Sequence, residues 1–143
     1  MIVLDTTILV YSLGGEHPLR GPCQGLVAAV AEGRVEATTT LEVIQEFVHV
    51  RARRCDRADA ADRGRELVGL LQPLLAPGEP ELALGLRLFE EHPTLGAPDA
   101  VLAAATMLSG ADALVSADRA FAGIRGLAWM DPAGPQLRDF LAR

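Results

Sequence analysis

Hydrophobic positions in this chain fall into two kinds of pattern: short unbroken runs, and longer stretches with helical spacing. Residues 2–4 (Ile, Val, Leu) and 113–115 (Ala, Leu, Val) are apolar runs ended by the polar residues Asp5 and Ser116. Such runs are expected of strands buried on both faces of a parallel sheet, where no solvent face alternates with the core face. Val35–Thr38 and Leu127–Met130 read as two further short strands. Between them the spacing predicts helices from Asp5-Thr6-Thr7 through about Ser12 and from Pro18 to about Glu32, with Gly33 as the stop. Further helices are expected over Thr39 to about Arg54, about Arg57–Leu75, Glu79–Glu91, and Pro98 to about Ser109, the last ended by Gly110. A short helical turn at Asp118–Phe121 and a C-terminal helix near Pro135–Ala142 complete the reading. Thr39 and Glu42 have the spacing of a capping box, in which each side chain serves the other's backbone amide.

Strands separated by helices imply a mostly parallel central sheet of about four to five strands with helices on both faces, a three-layer α/β/α domain. No repeat, low-complexity tail or long linker divides the chain, so residues 1–143 read as a single domain. Only 4% of residues are aromatic while half are hydrophobic, which leaves Ala, Leu and Val to build the core. No apolar run approaches the roughly 20 residues that span a bilayer. The N-terminus carries an acid at position 5 and no basic lead, unlike a secretory signal, so a cytoplasmic protein is expected. Cys23 and Cys55 lie in different predicted helices without CxxC spacing, and read as small hydrophobes rather than zinc ligands.

The net charge of −6 argues against simple electrostatic binding of nucleic acid, but its distribution is uneven. All 13 basic residues are arginine, and six of them (Arg51, Arg53, Arg54, Arg57, Arg63, Arg65) fall within fifteen positions. An acidic total with one arginine patch suits a protein that gathers cations at one place and phosphates at another.

In open parallel sheets, sites form beyond the carboxyl ends of the strands. Asp5 ends the first predicted strand and Asp118 follows the Ala-Leu-Val strand, so two strands deliver carboxylates to one edge. Asp99 opens a helix that can converge there, and Glu46 reaches in from the helix after the second strand. Singly, Asp5 and Asp118 also read as helix caps, and Asp99 as an acid favoured by a helix dipole. Glu46 lies beyond capping range beside Val43, Phe47 and Val50, an expensive place for an unpaired carboxylate. Its rival Glu42 is assigned to the capping box, which leaves the chemistry to Glu46. Four converging carboxylates repel one another unless a cation lies between them. Mg²⁺ or Mn²⁺ suits an all-oxygen set, and such ions support phosphodiester hydrolysis.

The segments IVLDTTILV, VIQEFVHV, GAPDAVLAAA and LVSADRAF, in this order, resemble the PIN-domain family, and most closely its VapC toxins. The resemblance spans about residues 1–131. It implies a PIN-like fold and an endoribonuclease with Mg²⁺ or Mn²⁺ held chiefly by Asp5 and Asp99. Glu46 and Asp118 then complete the acidic pocket directly or through water, while Thr7 and Ser116 orient carboxylates or water. It also implies a homodimer and a small antitoxin that covers the site and carries the contact with DNA.

Arg51, Arg53 and Arg54 follow Glu46 by one to two turns. They read either as contacts to RNA phosphates or as a solvated helix end favoured by the dipole. Arg119, beside Asp118, is a further phosphate candidate. His49 is an i+3 neighbour of Glu46, whereas His17 and His92 read as surface residues. Trp129 and Phe140 are expected in the core or an interface. Two other functions compete: a catalytically idle PIN-like binding module and a Mg-dependent phosphatase. The phosphatase needs an aspartate where Thr7 stands and a lysine, which the chain lacks.

Overall fold

A computed structural model describes residues 1–143. The chain runs β1 (Ile2–Leu4), α1 (Thr6–Leu13), α2 (Arg20–Ala31), β2 (Ala37–Thr38), α3 (Leu41–Ala52), α4 (Arg57–Leu71), α5 (Glu79–Glu91), α6 (Ala97–Ser109), β3 (Ala113–Val115), β4 (Trp129–Met130) and α7 (Pro135–Leu141). A single turn of 3-10 helix, Arg119–Phe121, lies between β3 and β4. The four strands form one sheet in the order β2-β1-β3-β4, and every pairing is parallel. Helices cover both faces, giving a three-layer α/β/α domain; β1 and β3 are buried at every position as their unbroken apolar runs require.

This strand order places the functional edge. From β1 the chain crosses to β2 on one side, and the later β3 is laid on the other. The crevice beyond the carboxyl ends of β1 and β3 is thus the switch point where ligands are bound in open α/β sheets. Leu4 is in register with Val115, so the next residues, Asp5 and Ser116, emerge side by side. A hydrogen bond from the Asp5 amide to the Val115 carbonyl (3.0 Å) fixes that register at its end.

Small side chains bring α6 against its neighbours. Ala100, Ala103 and Ala104 are fully buried, and Gly110 ends the helix in the left-handed region at φ 72°. On the other side α5 packs closely on α6. A Cβ at Gly85 would meet the Val101 backbone at 3.0–3.1 Å, closer than side-chain atoms tolerate. Gly85→Ala is therefore expected to destabilise the domain by about 1–2 kcal/mol, overpacking outweighing the better helix propensity of alanine. Chemical denaturation tests this; a more stable variant would refute the close approach.

Two expectations are corrected. The helix expected to reach Leu75 stops at Leu71, because Pro73 disfavours helical geometry at Gln72, which is extended (φ −68°, ψ 149°). The following residues serve the sheet edge instead: Leu75 bridges to Thr40, and the Pro73 carbonyl accepts a hydrogen bond from Thr38 Oγ1 (2.8 Å). The Thr39–Glu42 capping box does not form. Thr40 caps α3 by accepting from the Val43 amide (3.2 Å), while Thr39 is buried and donates to the Leu4 carbonyl (2.6 Å). No helix is long and apolar enough to cross a membrane. Cys23 is buried and Cys55 half-buried, both as free thiols, and burial pushes the Cys23 thiol up to about 11.

Candidate active site

The register of β1 and β3 creates a compact hydrogen-bond network around Asp5. Asp5 occupies the N-cap position of α1, yet its side chain caps nothing. Its Oδ2 instead accepts from Ser116 Oγ (2.6 Å) and Thr7 Oγ1 (2.8 Å), so this buried carboxylate is held in one orientation. The two hydroxyls are themselves positioned by the turn after β3: Thr7 Oγ1 accepts from the Ala117 amide and Ser116 Oγ from the Asp118 amide, each at 3.0 Å. Trp129 Nε1 donates to the Ser116 carbonyl (3.0 Å), tying β4 to the same turn. Ser116→Ala removes a donor to Asp5 and the acceptor for the Asp118 amide together. An activity loss of about 10–100-fold is expected, the usual cost of losing a partner that orients a functional carboxylate. Unchanged turnover in that variant would remove Ser116 from the site.

The remaining acids arrive from three other elements. Asp99 stands in the first turn of α6, half-buried. Glu46 comes from the middle of α3 and accepts from Thr6 Oγ1 (2.7 Å). Asp118 precedes the 3-10 turn and caps it, accepting from the Ala120 amide through Oδ1 (2.8 Å). All four line one open cleft of about 520 Å³, together with Thr7 and Arg54.

Burial and the neighbouring carboxylates both act on Asp99. Its carboxyl is pushed up from 3.8 to about 6, first by burial, then by the negative charges of Asp5, Asp118 and Glu46. No hydrogen bond offsets that rise. As they stand, no three His, Cys, Asp or Glu side chains are set to hold a metal ion together. Hydrogen bonds hold Asp5, Glu46 and Asp118 in separate orientations around the cleft. The donor chemistry nonetheless fits a hard divalent cation: the candidate ligands are carboxylates from different elements, and one carries an uncompensated electrostatic penalty.

Glu46 reaches the cleft for a reason other than the sequence suggested. It is exposed rather than set against the core, and Val43 and Phe47 point the other way into it. Thr6 fixes its carboxylate. Glu42, freed of any capping role, is exposed and is not among the charges acting on Asp99.

Three of the six patch arginines, Arg51, Arg63 and Arg65, are engaged in intramolecular ion pairs. Arg51 donates to the Leu13 carbonyl (3.0 Å) and to Asp59 (2.7 Å); the bond to Asp59 raises the basicity of Arg51 and holds the Asp59 carboxyl below its usual range. Arg63 pairs with Glu66, and Arg65 with Asp62. Arg53 lies against His49 (3.1 Å), and Arg119 is exposed outside the acidic cleft. Arg51, Arg53 and Arg119 are therefore not gathered around the acids. Of the four phosphate candidates Arg54 alone lines the acidic cleft, and it joins none of the ion pairs of its patch. His49 lines an adjoining cleft that shares Asp5, Glu46 and Asp99.

Sequence reading overlooked Tyr11 and took His17 only as a surface residue; His17 is exposed, and the two rings stack where they line the acidic cleft, with centroids 4.3 Å apart and planes 20° from parallel. The only signal was that Tyr11 lies one helical turn beyond Thr7.

The model of the PIN domain matches residues 2–127. The chain belongs to the PIN-domain family. This PIN domain is 57% identical to ribonuclease VapC7 of Mycobacterium tuberculosis over 133 residues, 92% of each chain. Among solved structures its fold is similar to VapBC2 from Rickettsia felis, bound to a promoter DNA fragment (TM-score 0.72, 18% identity). The PIN domain and that chain are covered to 92% and 98%. A toxin–antitoxin complex from Klebsiella pneumoniae matches with the same coverage (TM-score 0.70, 20% identity). These two likenesses concern the fold. The four acids lie at the edge of that fold where the strand order turns.

Proposed function

We propose that this PIN domain is a metal-dependent endoribonuclease, the toxin of a toxin–antitoxin pair. The observation that carries the reading is the convergence of Asp5, Glu46, Asp99 and Asp118 on one cleft, with the Asp99 carboxyl pushed up by burial and then by the other three charges. The identity to a ribonuclease over almost the whole chain supports it.

Asp5 and Asp99 would hold Mg²⁺ or Mn²⁺, with Glu46 and Asp118 contributing directly or through water. When bound, the ion supplies charge stabilisation for the scissile phosphate and a more acidic water. The chain's own part is orientation. Thr7 and Ser116 keep Asp5 aimed at the cleft, Thr6 does the same for Glu46, and Arg54 meets a phosphate oxygen with its guanidinium fork. Glu46 and Asp118 lie within the cleft to accept the proton of an attacking water, which adds to phosphorus as the 3′ or 5′ oxygen leaves.

A small antitoxin is the proposed partner, by analogy with the toxin–antitoxin assemblies of matching fold. DNA contact then falls to the antitoxin, and the location is the cytoplasm, where RNA is met. A homodimer is proposed as well. Leu82, Leu86 and Phe89 on α5, at 46–50% exposure and spaced by four and three residues, offer an apolar face for a second copy.

Cleavage of transfer and ribosomal RNA by metal-stripped protein, before and after Mn²⁺ is restored, tests the central reading. Cutting that appears with Mn²⁺ and stops with EDTA is expected. Cutting that persists in EDTA would overturn the metal dependence, and inertness under both conditions would overturn the nuclease.

A further inference from the structure

Three clefts adjoin along one side of the molecule. The acidic cleft shares Asp5, Glu46 and Asp99 with the cleft beside α6, and shares Glu16 and His17 with a smaller polar cleft at the start of α2. The acids thus sit within a longer groove, and His17 stands at the junction beyond them.

His17 is exposed, while its stacking partner Tyr11 is half-buried and packed against the core. The inner ring is anchored, and the outer ring presents itself to solvent. His17 is also fixed in orientation, because its Nδ1 accepts a hydrogen bond from the Leu19 amide (3.1 Å). That bond leaves Nε2 as the ring's donor in this arrangement. Tyr11 is the chain's single tyrosine, and four of the other aromatics (Phe47, Phe121, Trp129, Phe140) are buried in or packed against the core. Beyond His17, the polar cleft is lined by Arg20, which joins no ion pair and whose Nε is buried without a hydrogen-bond partner, leaving its terminal nitrogens as the donors available to a ligand. An uncommitted guanidinium beside an oriented aromatic pair is the combination that single-stranded nucleic acid uses: a base stacks and the next phosphate is forked.

We infer that Tyr11, His17 and Arg20 form a nucleotide subsite of the groove. The His17 ring stacks on the base adjoining the scissile phosphodiester of a single-stranded RNA, and Arg20 takes the following phosphate. The inference rests on the nuclease reading and assigns it a substrate class, RNA that is unpaired next to the cut. Exposed Glu16 opposes Arg20 in charge, so binding here depends on stacking and the guanidinium fork rather than on net positive potential.

The test uses the full chain with Mn²⁺ and a twelve-nucleotide single-stranded RNA carrying 2-aminopurine at successive positions. The parent protein is expected to quench 2-aminopurine at one position beside its cut. His17→Ala should lose that quenching and raise KM on the order of tenfold, the usual worth of one base–aromatic stack, with kcat within about twofold. His17→Phe should restore both, since it keeps a stacking face without the imidazole nitrogens. Arg20→Ala should raise KM and reduce the salt dependence of binding by about the 0.7 expected for one phosphate contact on a single strand.

If His17→Ala matches the parent in KM and quenching, or if His17→Phe is as impaired as the alanine variant, the subsite is refuted while parent cleavage stands. A parent that neither binds nor cuts RNA refutes subsite and nuclease together. Should His17→Ala melt below the parent, the phenylalanine and Arg20 variants still decide the question.

Discussion

Asp99→Asn is expected to reduce RNA cleavage by at least about 1000-fold and, without metal, to raise the melting midpoint. Both effects have one cause. Asp99 is half-buried, faces three other carboxylates, and receives no compensating hydrogen bond, so its ionised form is costly in the metal-free protein. Asparagine keeps the shape and discards the charge. The rise from 3.8 to about 6 would correspond to about 3 kcal/mol if fully realised. Water reaches the half-exposed group and screens part of this, leaving on the order of 1 kcal/mol and about 3 °C in the melting midpoint. Catalysis moves the other way, because that charge is what would hold the cation. Losing several kcal/mol of charge stabilisation at the phosphate is a loss of about three orders of magnitude. Melting curves in EDTA beside cleavage assays in Mn²⁺ measure both. An Asp99→Asn protein that cuts normally, or that melts lower without metal, would show that this residue bears neither burden.

Acidification should separate the metal-free and metal-bound proteins. Asp99 holds its proton more tightly in the folded chain, at about 6, than at its ordinary 3.8. Between those values the folded state carries more protons than the unfolded one, so stability without metal rises as pH falls from about 7 through 6 toward 4. The gain is complete below the ordinary value, and the destabilisation is complete above about 6. A bound cation requires the ionised form, so its affinity falls in the same window, by about tenfold between pH 7 and pH 5. Titration of Mn²⁺ by calorimetry at those two pH values, in parent and Asp99→Asn, gives the answer. A parent affinity flat across the window, with no proton taken up by buffer on binding at pH 5, would remove Asp99 from the cation's ligands.

These two effects arise from a feature that sequence could name but not weigh. The apolar triplets at 2–4 and 113–115 were sufficient to announce a buried parallel sheet, since only strands covered on both faces dispense with polar positions. Given such a sheet, residues just after the triplets must lie at its carboxyl edge, and Asp5, Ser116 and Asp118 were legible for that reason. The glycine and proline signals around α6 likewise placed Asp99 in a first helical turn. Helix ends governed by competition were less legible. The spacing pointed to Thr39 as the N-cap, but Thr40 takes that role because the Thr39 hydroxyl is engaged by the Leu4 carbonyl.

Local pattern therefore determined the layers, the strand-end acids and the element order of this PIN domain, because each follows from the period of side-chain burial along a few residues. Tertiary structure decided everything that depends on distant segments meeting. The Leu4–Val115 register set Ser116 and Thr7 on Asp5, and Thr6, forty residues away, fixed the Glu46 carboxylate. Asp59 withdrew Arg51 from the phosphate candidates while Arg54 stayed free at the cleft. The loop after α1 folded His17 back onto Tyr11. Hydrogen bonds, repulsion and ring stacking act over a few ångströms of space, whatever the separation in sequence, and only the folded chain brings those groups within range.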